Sequence, residues 1–293
     1  MLIKTEAIVL HSLKYGESRM IVDLFTRQQG RLSCIVSIPK TSKAKIKKQL
    51  FQPLTLIDVE SDIRPRVQLQ KLRDARLLHT PLTLHLSPAK MAISLFLAEF
   101  LYHALRGEQQ PDEQLFDYMK HSFLWLDAAH DGYANFHLSF LMHLSRFLGF
   151  YPNLESGRLG VSSSGRLGVS SSGRLGVSPS GRLGVSSSGR LGVSPSGRLD
   201  DKPQTLNLKP QSFFDLRESC FCEAPPLHAD FLHPEEAARI HDMMRMDYQN
   251  MHLFRMSRTD RNRCLDVMLT YYRLHLPSFP ELKSLPVLKE LFD

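Results

Sequence analysis

The sequence predicts an α+β protein in which a five-stranded β-barrel comes first and an all-helical domain, interrupted by an octapeptide repeat, follows it. Three observations carry this reading. Near Pro81 the period of the apolar residues changes from two to about 3.6. Before that point β-branched runs alternate with turn residues. From Ser156 the chain reads SGRLGVS followed by Ser or Pro, at a strict period of eight. The resulting boundaries are 1–80 for the barrel, 81–155 and 200–293 for the two parts of the helical domain, and 156–199 for the repeat.

Within the first part, residues 6–10, 20–26, 32–38, 54–59 and 68–78 are β-prone. Turn signals separate them at Tyr15-Gly16-Glu17-Ser18, at Gln28-Gln29-Gly30 and from Asp62 to Pro65. Five short strands with a long lysine-rich connection between the third and fourth match the barrel of an OB-fold. A small SH3-like barrel is the rival.

Past Pro81, Ser87-Pro88 supplies an N-cap and a first-turn proline for a helix whose Met91, Leu95, Ala98, Tyr102 and Leu105 share one stripe. Pro111-Asp112-Glu113 opens a second helix, and a third runs from about Asn135 to Gly149. Beyond the repeat, Pro234-Glu235-Glu236 starts another, and Ser257 to Asp260 reads as a capping box with Asp in the usual Glu/Gln place. A last short helix bears Leu285 and Leu288. Neither helical stretch has enough partners to cover its own apolar face, so the two are expected to pack together. The repeat offers only Leu and Val per eight residues, too little apolar surface to offset the entropy of ordering it. A flexible insertion is the reading preferred over a β-solenoid, whose units carry more apolar residues and terminal caps.

Charge is unevenly placed. Residues 1–80 hold 15 Lys and Arg against 7 Asp and Glu, a net +8, and the repeat adds six arginines and no acid. The remaining residues hold 16 bases and 23 acids, a net −7. Polyanion binding is therefore expected at the N-terminal part. The apolar stretch from Met91 to Leu105 contains Glu99 and is too short to span a bilayer, and the N-terminus lacks a signal-peptide pattern, so a cytoplasmic protein with no membrane contact is expected. Phosphate-loop, dinucleotide, zinc-protease and lipase motifs are all missing, which speaks against an enzyme. Acid pairs such as Asp58 with Glu60, or Glu235 with Glu236, read as solvating or capping groups rather than as metal ligands of a nuclease. His137 with His143, and His228 with His233, lack i,i+4 spacing, and Cys220-x-Cys222 would need Cys34 and Cys264 from distant segments to hold zinc.

The main functional signal is the run from Pro39 to Lys48, in which Lys40, Lys43, Lys45, Lys47 and Lys48 fall within nine residues. Lysine is a flexible point charge suited to phosphate oxygens, and it reads base edges poorly, so the run favours binding without sequence preference. Lys14, Arg19, Arg31, Arg64, Arg66, Lys71 and Arg73 complete the candidate DNA-binding set, with Arg27 and Arg76 nearby. Tyr15 is a candidate stacking face, whereas Phe25 and Phe51 sit in apolar runs and read as core. An alternative reading is a protein-interaction adaptor whose basic barrel is incidental.

Several segments together resemble the RecO family of bacterial recombination mediators. They are Thr5 to Leu10, Tyr15-Gly16-Glu17-Ser18, Phe25-Thr26 and Gly30-Arg31-Leu32, then Ala98 to Leu101, Leu148 to Leu154, Phe214 to Glu218 and Tyr271 to Leu276, with Leu282 to Leu285. The resemblance implies an OB-fold followed by a helical domain and binding of single- and double-stranded DNA near the nucleoid. It also implies annealing of complementary strands, and loading of recombinase with RecR and the tail of single-stranded DNA-binding protein as partners. That acidic tail calls for a cation on the helical domain, and Arg146, Arg258, Arg261 and Arg263 are the candidates. Many relatives carry a four-cysteine zinc module after the segment matching Gly149 to Leu154. Here the repeat stands in that place and only Cys220 and Cys222 follow, so no cofactor is expected.

Overall fold

Alternation of apolar and polar residues over the first 77 positions builds the barrel in the computed structural model, which describes residues 1–38, 46–64, 66–108, 110–153 and 212–291. The repeat and three of the run's lysines, Lys40, Lys43 and Lys45, lie outside the described residues. Strands β1 (Leu2–Tyr15), β2 (Arg19–Thr26), β3 (Gly30–Ser37), β4 (Leu56–Asp62) and β5 (Leu69–Leu77) close in the order β1-β2-β3-β5-β4. All neighbours are antiparallel except β3 and β5, where Ser33 faces Leu69 and Ile35 faces Lys71 in parallel. This is the OB-type closed barrel expected, and it removes both sheet edges. β1 serves two neighbours, pairing residues 2–8 with β4 and 7–15 with β2, and it is bent by an irregularity between Val9 and His11.

Inside the barrel pack Val9, Val22, Leu24, Cys34, Val36 and Val59. A 3-10 turn at Lys48–Phe51 sends Phe51 into the same core. The Cys34 thiol is buried beside Ser61, and burial pushes its pKa up to about 12, so it is a packing group and not a nucleophile.

The helices are α1 (Pro88–Ala104), α2 (Glu113–Ala128), α3 (Phe136–Phe147), α4 (Pro234–Arg245), α5 (Arg258–His275) and α6 (Leu285–Lys289). Asp112 accepts a hydrogen bond from the Leu115 N–H at 2.8 Å to start α2. Ser257 caps α5 by accepting from the Asp260 N–H at 3.1 Å, and its hydroxyl donates to the Asp260 carboxylate at 2.7 Å. Residues on the two sides of the repeat share one core, as expected. Tyr272 donates to the Leu141 carbonyl at 2.7 Å, Tyr271 donates to the Phe150 carbonyl, and Ser139 donates to the Met246 carbonyl at 3.2 Å. Barrel and helices belong to one compact unit.

The helical part also carries a small sheet that the sequence reading did not contain. Strands β6 (Phe213–Asp215), β7 (Cys220–Cys222) and β8 (Phe231–Leu232) lie in the order β7-β6-β8. Two or three residues are too few for a period to register. Phe214 stacks edge-on against Phe221 at 4.9 Å, and Asp215 accepts from the N–H groups of Arg217 and Glu218 to turn the chain between the strands.

The barrel is stapled to the helices by two charged clusters. Asp127 at the end of α2 accepts from the N–H groups of Leu82, Thr83 and Leu84 at 2.7–3.0 Å and pairs with His79 at 2.9 Å. Burial alone would raise its pKa, but these donors outweigh burial and hold it at about 2. Buried Lys90 of α1 donates to the Asp127 carbonyl at 3.0 Å and to Thr83 at 2.6 Å, closing the clamp on the 78–87 crossover. In the second cluster Arg27 bridges Glu6 of β1 to Asp117 and Glu113 of α2, while Lys120 donates twice to Glu6 at 2.9 Å.

Candidate nucleic-acid interface

Cross-strand pairs share a face of the sheet, so the register sorts the outer surface of the barrel. One row runs Leu13, Ile21, Ile35 and Lys71 across β1, β2, β3 and β5; beside it run Tyr15, Arg19 and Ser37. The next row towards the helices is His11, Asp23, Ser33 and Leu69, and then Phe25 faces Arg31.

The helical domain covers the second half of this face and leaves the first half open. Phe25 stacks on Phe116 of α2 at 6.5 Å, and the His11 ring lies 4.7 Å from Tyr102 of α1. Burial would raise the Asp23 pKa, but His11, Ser33 and Arg31 gathered round it keep the carboxyl low. The open half presents Leu13, 54% exposed, with half-buried Ile21 and Ile35, and is rimmed by Tyr15, Arg19 and Lys71. Arg19 lies over the Tyr15 ring at 5.4 Å, and Tyr15 itself is about half exposed.

The predicted basic residues divide accordingly. Lys14 is exposed at the end of β1, opposite Met20, and so on the other side of the ribbon from Tyr15 and Arg19. Lys47 and Lys48 are exposed at the start of the 3-10 turn. Arg64 and Arg66 are exposed on the β4–β5 loop, and Lys71 follows on β5. Among the described residues none of these, nor Arg19, has a carboxylate partner. Arg31 belongs instead to the covered half: its side chain is 11% exposed, donates to the Tyr102 carbonyl at 2.5 Å and lies 4.4 Å over the Tyr102 ring. Arg73 pairs with Asp62 at 2.6 Å, and Arg76 with Asp74 at 2.9 Å.

Gln70 did not figure among the candidates, yet it sets the β4–β5 loop. It points into the barrel at 6% exposure, accepts from the Arg64 N–H at 2.9 Å and donates to the Arg64 and Val67 carbonyls. Its signal in the sequence was a polar side chain at an inward position of an alternating strand. The same loop holds Arg66 at φ +66°, a left-handed conformation that favours glycine.

Of the helical-domain arginines, Arg146 lies 4.2 Å over the Tyr151 ring, Arg263 pairs with Glu236, and Arg261 is buried, donating to Asn135 at 3.1 Å. Among the described residues no three His, Cys, Asp or Glu side chains converge as a metal cage, and no helix is long and apolar enough to cross a membrane.

Comparison with known proteins places this geometry in context. A family model described as Recombination protein O N terminal matches residues 1–81, and one described as Recombination protein O C terminal matches 85–194. The chain is 44% identical over 293 residues to the DNA repair protein RecO of Phocaeicola vulgatus. It is 42% identical over 294 residues to that of Bacteroides fragilis and 30% over 297 residues to that of Porphyromonas gingivalis. Each alignment covers all of both proteins.

Proposed function

The chain belongs to the RecO family of DNA repair proteins, and on that premise we propose that its barrel binds the phosphate backbones of single- and double-stranded DNA without sequence preference and anneals complementary strands. The observation that carries this reading is the open half of the barrel face, an apolar row flanked by cations that no carboxylate neutralises among the described residues. Such a surface suits a strand whose bases lie on Leu13, Tyr15, Ile21 and Ile35 while its phosphates meet Arg19, Lys71 and the β4–β5 loop. Two strands held on neighbouring cations repel each other less, and complementary bases then pair. No covalent step is needed, so we assign no catalytic residue and no cofactor.

The helical domain, in this reading, receives protein partners: RecR, and the acidic tail of single-stranded DNA-binding protein. Together they hand the strand to a recombinase. Arg146, exposed and stacked on Tyr151, suits an acidic tail better than the paired Arg263 or the buried Arg261.

Binding through phosphates releases counterions, so affinity falls linearly with salt on logarithmic axes. Replacing Lys40, Lys43, Lys45, Lys47 and Lys48 together by Ala should weaken binding and flatten that slope. An unchanged slope would exclude the lysine run from the interface. Failure of the wild-type chain to shift any oligonucleotide at low salt, with protein partners still bound, would instead make it an adaptor.

A further inference from the structure

Beside Lys47 the surface is cut by a groove of about 350 Å³, between the 3-10 turn and the crossover that leads to α1. Leu50, Leu77, Pro81 and Leu86 give it an apolar lining, and two of these are costly where they stand: Leu77 is 43% exposed and Leu86 81%. The other five lining residues, Lys47, Gln49, Gln52, Thr55 and His85, are polar. Gln49 and Gln52 bring carboxamides, each both donor and acceptor, and His85 contributes a ring. The His85 Nε2 lies 3.0 Å from the Pro53 carbonyl, which can only accept, so Nε2 carries a proton and Nδ1 remains the ring's second polar atom. Thr55 in the same lining is buried, and its hydroxyl has no hydrogen-bond partner among the described residues. Lys47, exposed, also belongs to the lining, and Lys48 follows it in the chain.

We propose that this groove takes one unpaired nucleobase of a DNA strand whose backbone lies on Lys47 and Lys48, giving the protein a preference for single strands over duplex. The proposal rests on the DNA-binding reading above. Three features point to a base. The volume lies at the small end of the range for small-molecule pockets, roughly 300–1,000 Å³, and suits a single flat ring system better than an extended peptide. The donor–acceptor carboxamides match the edge of an unpaired base, while leucines and the imidazole suit its faces. Lys47 of the lining and its neighbour Lys48 are both exposed, so they are free to meet the phosphates of such a nucleotide. A paired base cannot enter, because its edge is already occupied by its partner.

The test uses the full chain and compares wild type with Gln49→Ala/Leu86→Ala, two exposed positions whose loss leaves the core intact. Fluorescence anisotropy at one salt concentration is read on three probes: oligothymidylate, an equally long strand of abasic residues, and a duplex. The variant should bind oligothymidylate about tenfold more weakly, while the abasic strand and the duplex stay within about twofold, as expected when one base contact is lost and no phosphate contact. Equal weakening on all three probes, or no change on any, overturns the proposal. So does a synthetic acidic and apolar peptide that binds wild type and not the variant while oligothymidylate binding holds, since the groove would then serve a protein partner. Wild type that binds none of the probes overturns the DNA reading itself, a result distinct from the other three.

Discussion

Replacing Arg66 by glycine should move stability and DNA binding in opposite directions. Arg66 is exposed, has no carboxylate partner among the described residues and sits at φ +66°, so its side chain contributes nothing visible to the fold while its backbone is strained. A left-handed non-glycine residue costs roughly 1–2 kcal/mol. Glycine removes that cost and brings back about 0.5–1 kcal/mol through its larger freedom in the unfolded chain. The balance lies between about zero and +1.5 kcal/mol, which for a chain of this size leaves Tm unchanged or raised by up to about 6 °C. On the binding side one phosphate contact disappears. The slope of log K against log salt should then flatten by about 0.7 on single strands and 0.9 on duplex. Circular dichroism melts and anisotropy titrations at four or five potassium chloride concentrations read the two effects. Arg66→Ala is the companion: it loses the same contact but keeps the strain, so its Tm should lie below that of Arg66→Gly. A clear fall in the Tm of Arg66→Gly would refute the strain argument, and an unchanged slope would refute the phosphate contact.

Two further expectations follow from the same geometry. The Asp127 carboxyl is held at about 2 against an ordinary value of 3.8, so its stabilisation, roughly 2.5 kcal/mol, is fully present above pH 4 and lost as pH falls through about 2. Urea unfolding of Asp127→Asn should show about that loss at pH 7 and a weaker acid sensitivity between pH 4 and 2; equal sensitivity in both proteins would count against the clamp. Gln70→Leu frees backbone groups of an exposed loop that water can reach, so it should cost only about 1–2 kcal/mol. Because it removes no charge, any weakening of DNA binding by Gln70→Leu, read by anisotropy well below the melting point, reports on the conformation of the Arg64–Arg66 loop; full affinity would mean that this conformation does not matter.

The barrel was legible because its strands alternate strictly, as in Met20 to Leu24 and Leu32 to Val36, where every second residue enters the core. Helix starts were legible at Ser87-Pro88, Asp112 and Ser257: Asp112 and Ser257 cap their helices through side-chain bonds, and at Ser87-Pro88 the proline opens the first turn without a cap bond from Ser87. The candidate interface was legible in its composition and less so in its layout. Nothing near Arg31 in the chain reveals that Tyr102, 71 residues on, will cover it. Arg73 finds Asp62 only because β4 and β5 pair in one register, and the positive φ of Arg66 leaves no mark when the residue is not glycine. The row of Leu13, Ile21 and Ile35 likewise exists only after three strands align, since each residue alone looks like an ordinary strand position.

The half-covered barrel face has a consequence for how long a strand is kept. The open half is four strands wide, about 14 Å at the usual spacing of neighbouring strands, and α1 and α2 cover the rest. On the DNA-binding reading proposed for this chain, a face that narrow would hold few nucleotides, towards the lower end of the roughly 4–16 that an OB-fold engages. Each molecule would then let go easily and its neighbour take over. Residence on the strand would become a property of crowding along the DNA and of ionic strength, and a strand held by many brief grips would be surrendered one grip at a time to whatever binds it next.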